Sequence, residues 1–315
     1  MRIQHNIAAI NSHRQLGGNN NAVGKNLEKL SSGYRVNRAG DDAAGLAISE
    51  KMRSQIVSLE TAQKNANDGI SLIQTAEGAM TEVHSMLNRM VELAQQSANG
   101  IYDDATDRKN LNEEFMALQD EIDRISDATD FNGTKLLNGT LSSGGKITTS
   151  GVPAGTTGSA LKLQIGDTSD KFNQLSVSVS SVNSNTLKVG KATVTYTKQA
   201  DGKMKASLVG GATTSQVSIA TQTAASAAVS RVKAAINTVS SMRGKLGALQ
   251  NRLEHTVNNL GVTAENMTAA ESRIRDVDMA KEMMAYTKNN ILVQASQAML
   301  AQANQLPQGV LQLLQ

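Results

Sequence analysis

Apolar side chains at helical spacing run almost to both ends of this 315-residue chain, and that pattern constrains the fold more than any other feature. Near the start, Ile3, Ile7 and Ile10 recur at intervals of four and three, and Leu16, Val23, Leu27, Leu30 and Tyr34 follow on a similar grid after a small slip. Near the finish, Leu292, Met299, Ala303, Leu306, Val310 and Leu313 repeat the pattern along one seam of a helix. Fully burying a Leu, Ile or Val side chain yields roughly 1.5–3 kcal/mol, while ordering each backbone residue costs roughly 1–2 kcal/mol. Such arms are marginal alone and require a partner.

Between the arms the pattern changes twice. Residues 1–138 read as helical, with a joint where Ser31-Ser32-Gly33 ends one helix and Asp41-Asp42 caps the next. The second segment carries a heptad of Leu72, Ala76, Ala79, Val83, Met86, Met90 and Leu93, widened by Ile70, Ile73, Met80 and Leu87, so it packs against more than one neighbour. A polar turn at Asn99-Gly100 precedes a third helix with Leu111, Phe115, Leu118, Ile122 and Ile125 on one stripe. Asp130-Phe131-Asn132-Gly133 reads as its stop.

Residues 139–220 are rich in Gly, Ser and Thr, and Leu161–Ile165 and Ala192–Tyr196 alternate as short strands do, with a tight turn expected at Asp201-Gly202. From residue 221 the helical grid resumes through Val229, Val232, Ile236, Val239, Leu246, Leu253, Val257 and Leu260. A chain that goes out helical and returns helical predicts a mainly α fold, a long antiparallel coiled-coil bundle built from both ends with a small β-rich insert in the middle. The expected divisions are 1–42 with 275–315 as terminal arms, 43–138 with 221–274 as the bundle, and 139–220 as the insert. The apolar residues of both ends, Ile3 to Tyr34 and Leu292 to Leu314, then lie together at one tip.

Composition removes several function classes. Aromatics are 2% of the chain, Trp is absent and the net charge is +3, which leaves neither a stacking platform nor a basic run for nucleic acid. No stretch approaches 18 consecutive apolar residues, so no membrane span is expected. With no Cys there is no thiolate chemistry, and the His residues at 5, 13, 84 and 255 lack metal-ligand spacing and read as surface residues. No Walker or Rossmann glycine pattern occurs, so neither a catalytic centre nor a cofactor is expected. The N-terminal MRIQHNIAAINSHRQL lacks the apolar core of a cleaved signal peptide.

Leu30-Ser-Ser-Gly-Tyr-Arg-Val-Asn-Arg-Ala-Gly-Asp-Asp-Ala-Ala-Gly-Leu-Ala-Ile-Ser-Glu50 resembles the N-terminal signature of bacterial flagellins, and Asn67-Asp-Gly-Ile-Ser-Leu-Ile-Gln-Thr-Ala-Glu-Gly-Ala79 extends it. Asn251-Arg-Leu-Glu-His, Ala270–Ala280 and Ala301–Leu314 resemble the C-terminal signature. The resemblance implies a non-enzymatic, extracellular subunit of the flagellar filament, exported without a cleaved signal peptide, whose arms order as copies stack. It also implies a flagellar export chaperone and a filament cap as partners. The alternative within the same resemblance is a junction protein between hook and filament.

The assembly interface so implied comprises Ile3, Ile7, Ile10, Leu27, Leu30, Leu292, Met299, Leu306, Val310, Leu313 and Leu314. Flagellins are also ligands of Toll-like receptor 5, and Arg89, Leu93, Glu114 and Arg252 match receptor-contacting positions, with Val232 and Ile236 as looser matches. Val91 stands where many receptor-binding members carry a second arginine. The C-terminal Val310, Leu311, Leu313 and Leu314 resemble the segment read by NAIP-type receptors.

Two local questions stay open at the level of sequence. Arg35, Arg38, Asp41 and Asp42 on one limb and Arg273, Arg275, Asp276 and Asp278 on the other are either caps and solvated charges or ion pairs that set register. Pro307 interrupts the terminal heptad, yet Val310 and Leu313 continue it, so the helix is expected to run through the proline.

Overall fold

A computed structural model of the chain describes residues 6–103, 106–142, 159–192, 194–198, 204–208 and 216–313. Five helices dominate: α1 (Ile7–Ser32), α2 (Ala43–Ala98), α3 (Asp107–Ala128), α4 (Gln222–Arg275) and α5 (Met279–Leu313). Among the described residues, eight short strands lie between α3 and α4: β1 (Asp130–Phe131), β2 (Thr134–Lys135), β3 (Leu161–Gln164), β4 (Gln174–Val177), β5 (Gly190–Lys191), β6 (Val194–Lys198), β7 (Met204–Leu208) and β8 (Gln216–Val217). The chain forms two compact units, Met1–Ser58 with Val262–Gln315, and Leu59–Gly261.

The helix boundaries have local causes. Asn6 caps α1 by accepting from the Ala9 N–H, and Gly33 ends that helix with φ 75°, a left-handed conformation that glycine adopts without strain. Asp42 caps α2 by accepting from the Gly45 N–H at 2.8 Å. A Cβ on Gly45 would lie 2.3 Å from the Asp42 carboxylate, so the cap needs that glycine. α5 continues through Pro307 to Leu313, as the heptad implies. The side chains of residues 306–313 lie outside the described residues.

In the Leu59–Gly261 unit, α2 and α4 run antiparallel. Along α2, Gly69 faces Leu253 and Glu77 pairs with Arg243 at 3.3 Å, so numbering falls on α4 as it rises on α2. Ile73, Ala76, Met80, Val83, Leu87, Met90 and Ala94 of α2 are fully buried or nearly so, together with Leu72 and Leu93. This heptad runs beside the sequence-derived one, with Ala79 and Met86 half-buried at its edge. On α4 the buried positions are Ala225, Ala228, Val232, Ala235, Val239, Leu246, Leu253 and Leu260. The small alanines, which spacing alone treats as filler, allow close helix approach.

The strands pair two by two. β1 and β2 form a hairpin around Asn132 and Gly133, whose φ values of 50° and 76° suit the turn that matches strand twist. The sequence reading takes Asp130–Gly133 as a simple stop, whereas the structure makes it the first hairpin. β3 and β4 are antiparallel, β6 and β7 are antiparallel, and β5 and β8 are parallel. The strand expected at Ala192–Tyr196 lies at Val194–Lys198, and the turn expected at Asp201-Gly202 lies outside the described residues.

Among the described residues, the β-rich stretch has no core of its own. Leu175, Val177, Val179, Val182, Leu187, Val189, Val217 and Ile219 belong to the same buried cluster as α2, α3 and α4. Strands of two to five residues cannot bury both faces by themselves and need the helices as a floor. Leu163 packs where a Cβ on Gly69 would come within 2.5 Å, so that glycine sets how closely β3 approaches α2.

The face of α3 that meets these strands is half polar: Arg108, Asn112, Phe115, Gln119, Ile122 and Ser126 are its buried residues. Asn112 Oδ1 accepts from the Ser218 hydroxyl and the Ile219 N–H, each at 3.0 Å. Gln119 Nε2 donates to the Val189 carbonyl at 2.6 Å and the Val217 carbonyl at 3.4 Å, bridging β5 and β8 from below. The Ser126 hydroxyl donates to the Leu137 carbonyl, and Arg108 Nε donates to the Ser97 carbonyl. These side chains satisfy backbone groups that would otherwise be buried unpaired.

Candidate assembly surface

In the terminal unit α1 and α5 run antiparallel, with Asn6 bonded to the Ala303 carbonyl at 2.7 Å and Asn19 to the Ser296 hydroxyl at 3.0 Å. The α1 residues half-buried toward this seam are Ser12, Leu16, Asn19, Val23, Asn26 and Leu30. On α5 they are Glu282, Tyr286, Asn289, Val293, Ser296 and Leu300, followed by buried Ala303. Both sets step by four and three, the coiled-coil signature. With its amide turned to satisfy its neighbours, Asn26 donates to Glu282 Oε1 at 3.0 Å and accepts from Asn289 Nδ2 at 2.9 Å. The seam therefore alternates apolar with polar layers, which specify register at a cost in strength.

In the single chain this arrangement divides the residues expected at the assembly interface. Leu30 lies in the seam, but Ile7, Ile10 and Leu27 point outward with more than half their surface exposed. On α5, Met299 is 64% exposed and Leu292 40%, and Ile291 and Met284 are exposed as well. Apolar residues on α1 and α5 thus divide into those that close the hairpin and those left exposed. Periodicity registers both sets but does not say which one meets the partner helix. Ile3 and Leu314 lie outside the described residues, as do the side chains of Leu306, Val310 and Leu313.

The charged joint resolves mainly into caps. Asp42 caps α2, Asp278 Oδ1 accepts from the Ala280 and Lys281 N–H groups, and Asp41 accepts from the backbone N–H groups of Arg38 and Asn37. Those bonds, Arg38 first, hold the Asp41 carboxyl below its usual range. The ion pairs that do form go to glutamates: Arg38 to Glu28 at 2.7 Å, and Arg275 to Glu50 at 2.8 Å with its guanidinium 4.7 Å above the Tyr34 ring. Backbone bonds then tie the two joints together, Arg35 N–H to the Arg275 carbonyl and Val277 N–H to the Gly33 carbonyl.

The positions implied as receptor contacts separate by burial. Arg89 and Glu114 form an exposed ion pair at 2.8 Å, reinforced by Glu92 at 3.0 Å, and Glu114 chiefly raises the Arg89 pKa. Arg252 is exposed on α4. Leu93 and Val232 have no exposed surface and Ile236 is half-buried, so in this fold the first two serve the core. His13 and His255 are exposed, whereas His84 is half-buried with its Nδ1 covered and unpartnered; His5 lies outside the described residues.

Among the described residues no group of three or more His, Asp or Glu side chains is placed to hold a metal. Among them, too, no helix is long and apolar enough to cross a membrane.

A family model for the bacterial flagellin N-terminal helical region matches residues 3–142, and one for the C-terminal helical region matches residues 229–314. The chain belongs to the bacterial flagellin family. Among curated relatives, a flagellin of Bacillus subtilis (strain 168) is 56% identical, with both chains fully covered. A flagellin of Halalkalibacterium halodurans is 48% identical over the full length of both. A crystal structure of Bacillus cereus flagellin aligns with 66% of this chain and 94% of its own, at 27% identity and a TM-score of 0.44. The two family matches cover α1, α2, α3, α5 and most of α4, and they leave out β3–β8.

Proposed function

We propose that this flagellin-family chain is an extracellular structural subunit that self-assembles into the bacterial flagellar filament and performs no catalysis. The observation behind this reading is the set of apolar side chains that the α1–α5 hairpin leaves uncovered: Ile7, Ile10, Leu27, Ile291, Leu292 and Met299 are all exposed in the single chain. Covering them with further copies supplies cohesion that a half-polar seam does not. An export chaperone masks the apolar C-terminal segment, including Val310, Leu313 and Leu314, until a filament cap guides insertion.

Electron microscopy of purified chain added to filament seeds tests this reading. Long homopolymers are expected. Addition that stops after one layer on the seed would instead favour a junction protein between hook and filament.

The chain is also proposed as a ligand of Toll-like receptor 5, through the exposed Arg89–Glu114 pair and Arg252. Leu93, Val232 and Ile236 support that surface from behind. Glu114→Lys should abolish signalling in a receptor reporter assay while leaving the helical circular dichroism spectrum unchanged; unaltered signalling sinks the assignment. NAIP-type receptors are proposed to read the same C-terminal segment as the chaperone.

A further inference from the structure

The chain has thirteen Met, no Cys and no Trp, so its thioethers are the side chains most open to oxidation by peroxide. Met1 and the side chain of Met204 lie outside the described residues, and the fold sorts the other eleven sharply. Met80 and Met90 have no exposed surface, and Met52, Met86, Met116, Met242 and Met267 are half-buried. Met279, Met283, Met284 and Met299 are 49%, 49%, 68% and 64% exposed, and all four lie on α5. Met284 stands seven residues before exposed Ile291, and Met299 seven after exposed Leu292, so these two thioethers lie beside exposed apolar side chains of α5, while Met279 and Met283 are exposed near its start. Met279 continues the seam register one step before Glu282 yet is 49% exposed, and Met283, Met284 and Met299 stand off the seam, which is built on Glu282, Tyr286, Asn289, Val293, Ser296 and Leu300.

We propose that Met279, Met283, Met284 and Met299 form a reversible oxidation site that controls whether the chain can polymerise. The inference rests on the filament reading above. A sulfur lone pair attacks one peroxide oxygen; the S–O bond forms as the O–O bond breaks. Sulfur gives up two electrons, and the departing hydroxide takes a proton to leave as water. The product sulfoxide is polar and has no hydrogen-bond partner when pressed against an apolar neighbour, so it disfavours burial between copies. In the reverse step two thiols of an external reductant become a disulfide, the sulfoxide oxygen leaves as water and the thioether returns. The chain itself, lacking Cys, cannot supply those thiols. Because the half-buried seam positions from Glu282 to Ala303 carry no thioether, the α1–α5 hairpin keeps its helices after oxidation.

The test treats full-length monomer with graded hydrogen peroxide, maps sulfoxides by peptide mass spectrometry and measures elongation on seeds before and after repair by methionine sulfoxide reductases with dithiothreitol. Oxidation is expected first at the four α5 residues, ahead of Met80 and Met90. Elongation should slow about tenfold, with helicity unchanged and the rate restored on repair. Preassembled filaments should resist oxidation at the same four positions. In a chain carrying M279L, M283L, M284L and M299L, the ratio of treated to untreated elongation should stay near one, whatever its own basal rate. Sulfoxides at all four sites with undiminished elongation, or equal peroxide sensitivity of the quadruple variant, overturn the proposal. So does oxidation of Met80 and Met90 at the same rate as the four. Failure of the untreated chain to elongate at all counts against the filament reading, while the order of oxidation still decides by itself whether the four thioethers are the accessible ones.

Discussion

In the unit formed by Leu59–Gly261, Ile73, Met80, Leu87, Met90, Phe115 and Leu253 have no exposed surface; in Met1–Ser58 with Val262–Gln315, Val36 and Ala303 are the buried hydrophobic residues among those described. The large exposed apolar side chains are distributed the other way. Ile7, Ile10, Leu27, Ile48, Val57, Met284, Ile291 and Met299 belong to the terminal unit, while the larger unit exposes Ile101, Tyr102 and Phe172. Both units use heptads, so periodicity does not separate them. What separates them is the number of neighbours: the α2 heptad is enclosed by α3, α4 and the strands, whereas α1 and α5 have one another and leave apolar side chains exposed. A helix pair with a half-polar seam holds its register but buries little, and its remaining stabilisation has to come from outside the chain.

The two units should differ most when one apolar residue is truncated in each. Phe115→Ala should cost about 3–5 kcal/mol of monomer stability in urea unfolding, because it empties a closed core. Ile10→Ala should change the same quantity by no more than about 0.5 kcal/mol yet slow seeded elongation. Equal losses from the two variants would mean that the terminal unit is as self-sufficient as the core. In the same spirit, limited proteolysis should cleave within α1 and α5 in monomer and not in filament, with α3 and the parts of α2 and α4 between residues 59 and 261 resistant in both.

Polar substitutions in the two units should have smaller effects, of opposite sign. Gln119→Leu removes the donor shared by the Val189 and Val217 carbonyls and should cost about 1–3 kcal/mol, read in urea unfolding. Asn26→Leu should instead raise the protection of α1 amides in hydrogen exchange by about 0.5–1 kcal/mol, since an apolar layer replaces a polar one. Lower protection would show that the polar layers stabilise the hairpin as well as register it.

A titration in the larger unit should give the least change of all. Partial burial, with the Asp123 carboxylate nearby, raises the Asp127 pKa above its ordinary value. Folding then favours its protonated form, so its contribution is most favourable below the unfolded pKa and is lost as pH rises through the raised folded value. Asp127→Asn should therefore stabilise the larger unit slightly at pH 7 and leave thermal stability unchanged at pH 3. A gain that persists at pH 3 would rule out the carboxylate as its source.

Much of the fold is legible in the residues alone. Gly33 as a helix end, Asp42 as a cap, the helical run through Pro307 and the strand at Leu161 are local matters of backbone preference and hydrogen bonding, and local sequence carries them. The α2 stripe is legible only as a band. With Leu72, Ile73, Ala79 and Met80 all apolar, two neighbouring heptads fit equally well, and burial by several partners keeps both in use. The polar residues of α3 escape a sequence reading because Asn112, Gln119 and Ser126 look like a solvent face until strands arrive above them. Their seven-residue spacing is the one signal present. The receptor-matching Leu93 and Val232 show the same limit: resemblance names a position, and packing decides whether its side chain is accessible.

Spacing and capping act within a few residues, so the amino-acid order alone dictates that helix, short strands and helix follow one another, where the helices start and stop, and which family the ends resemble. Which apolar residues close the α1–α5 hairpin, and which are left for a neighbour, emerges only once the chain is folded. The same holds for the interior placement of the polar α3 side chains. Both depend on groups far apart along the chain: Asn19 meets Ser296, and Gln119 and Asn112 meet groups 70 and 107 residues away, pairings that no local pattern encodes.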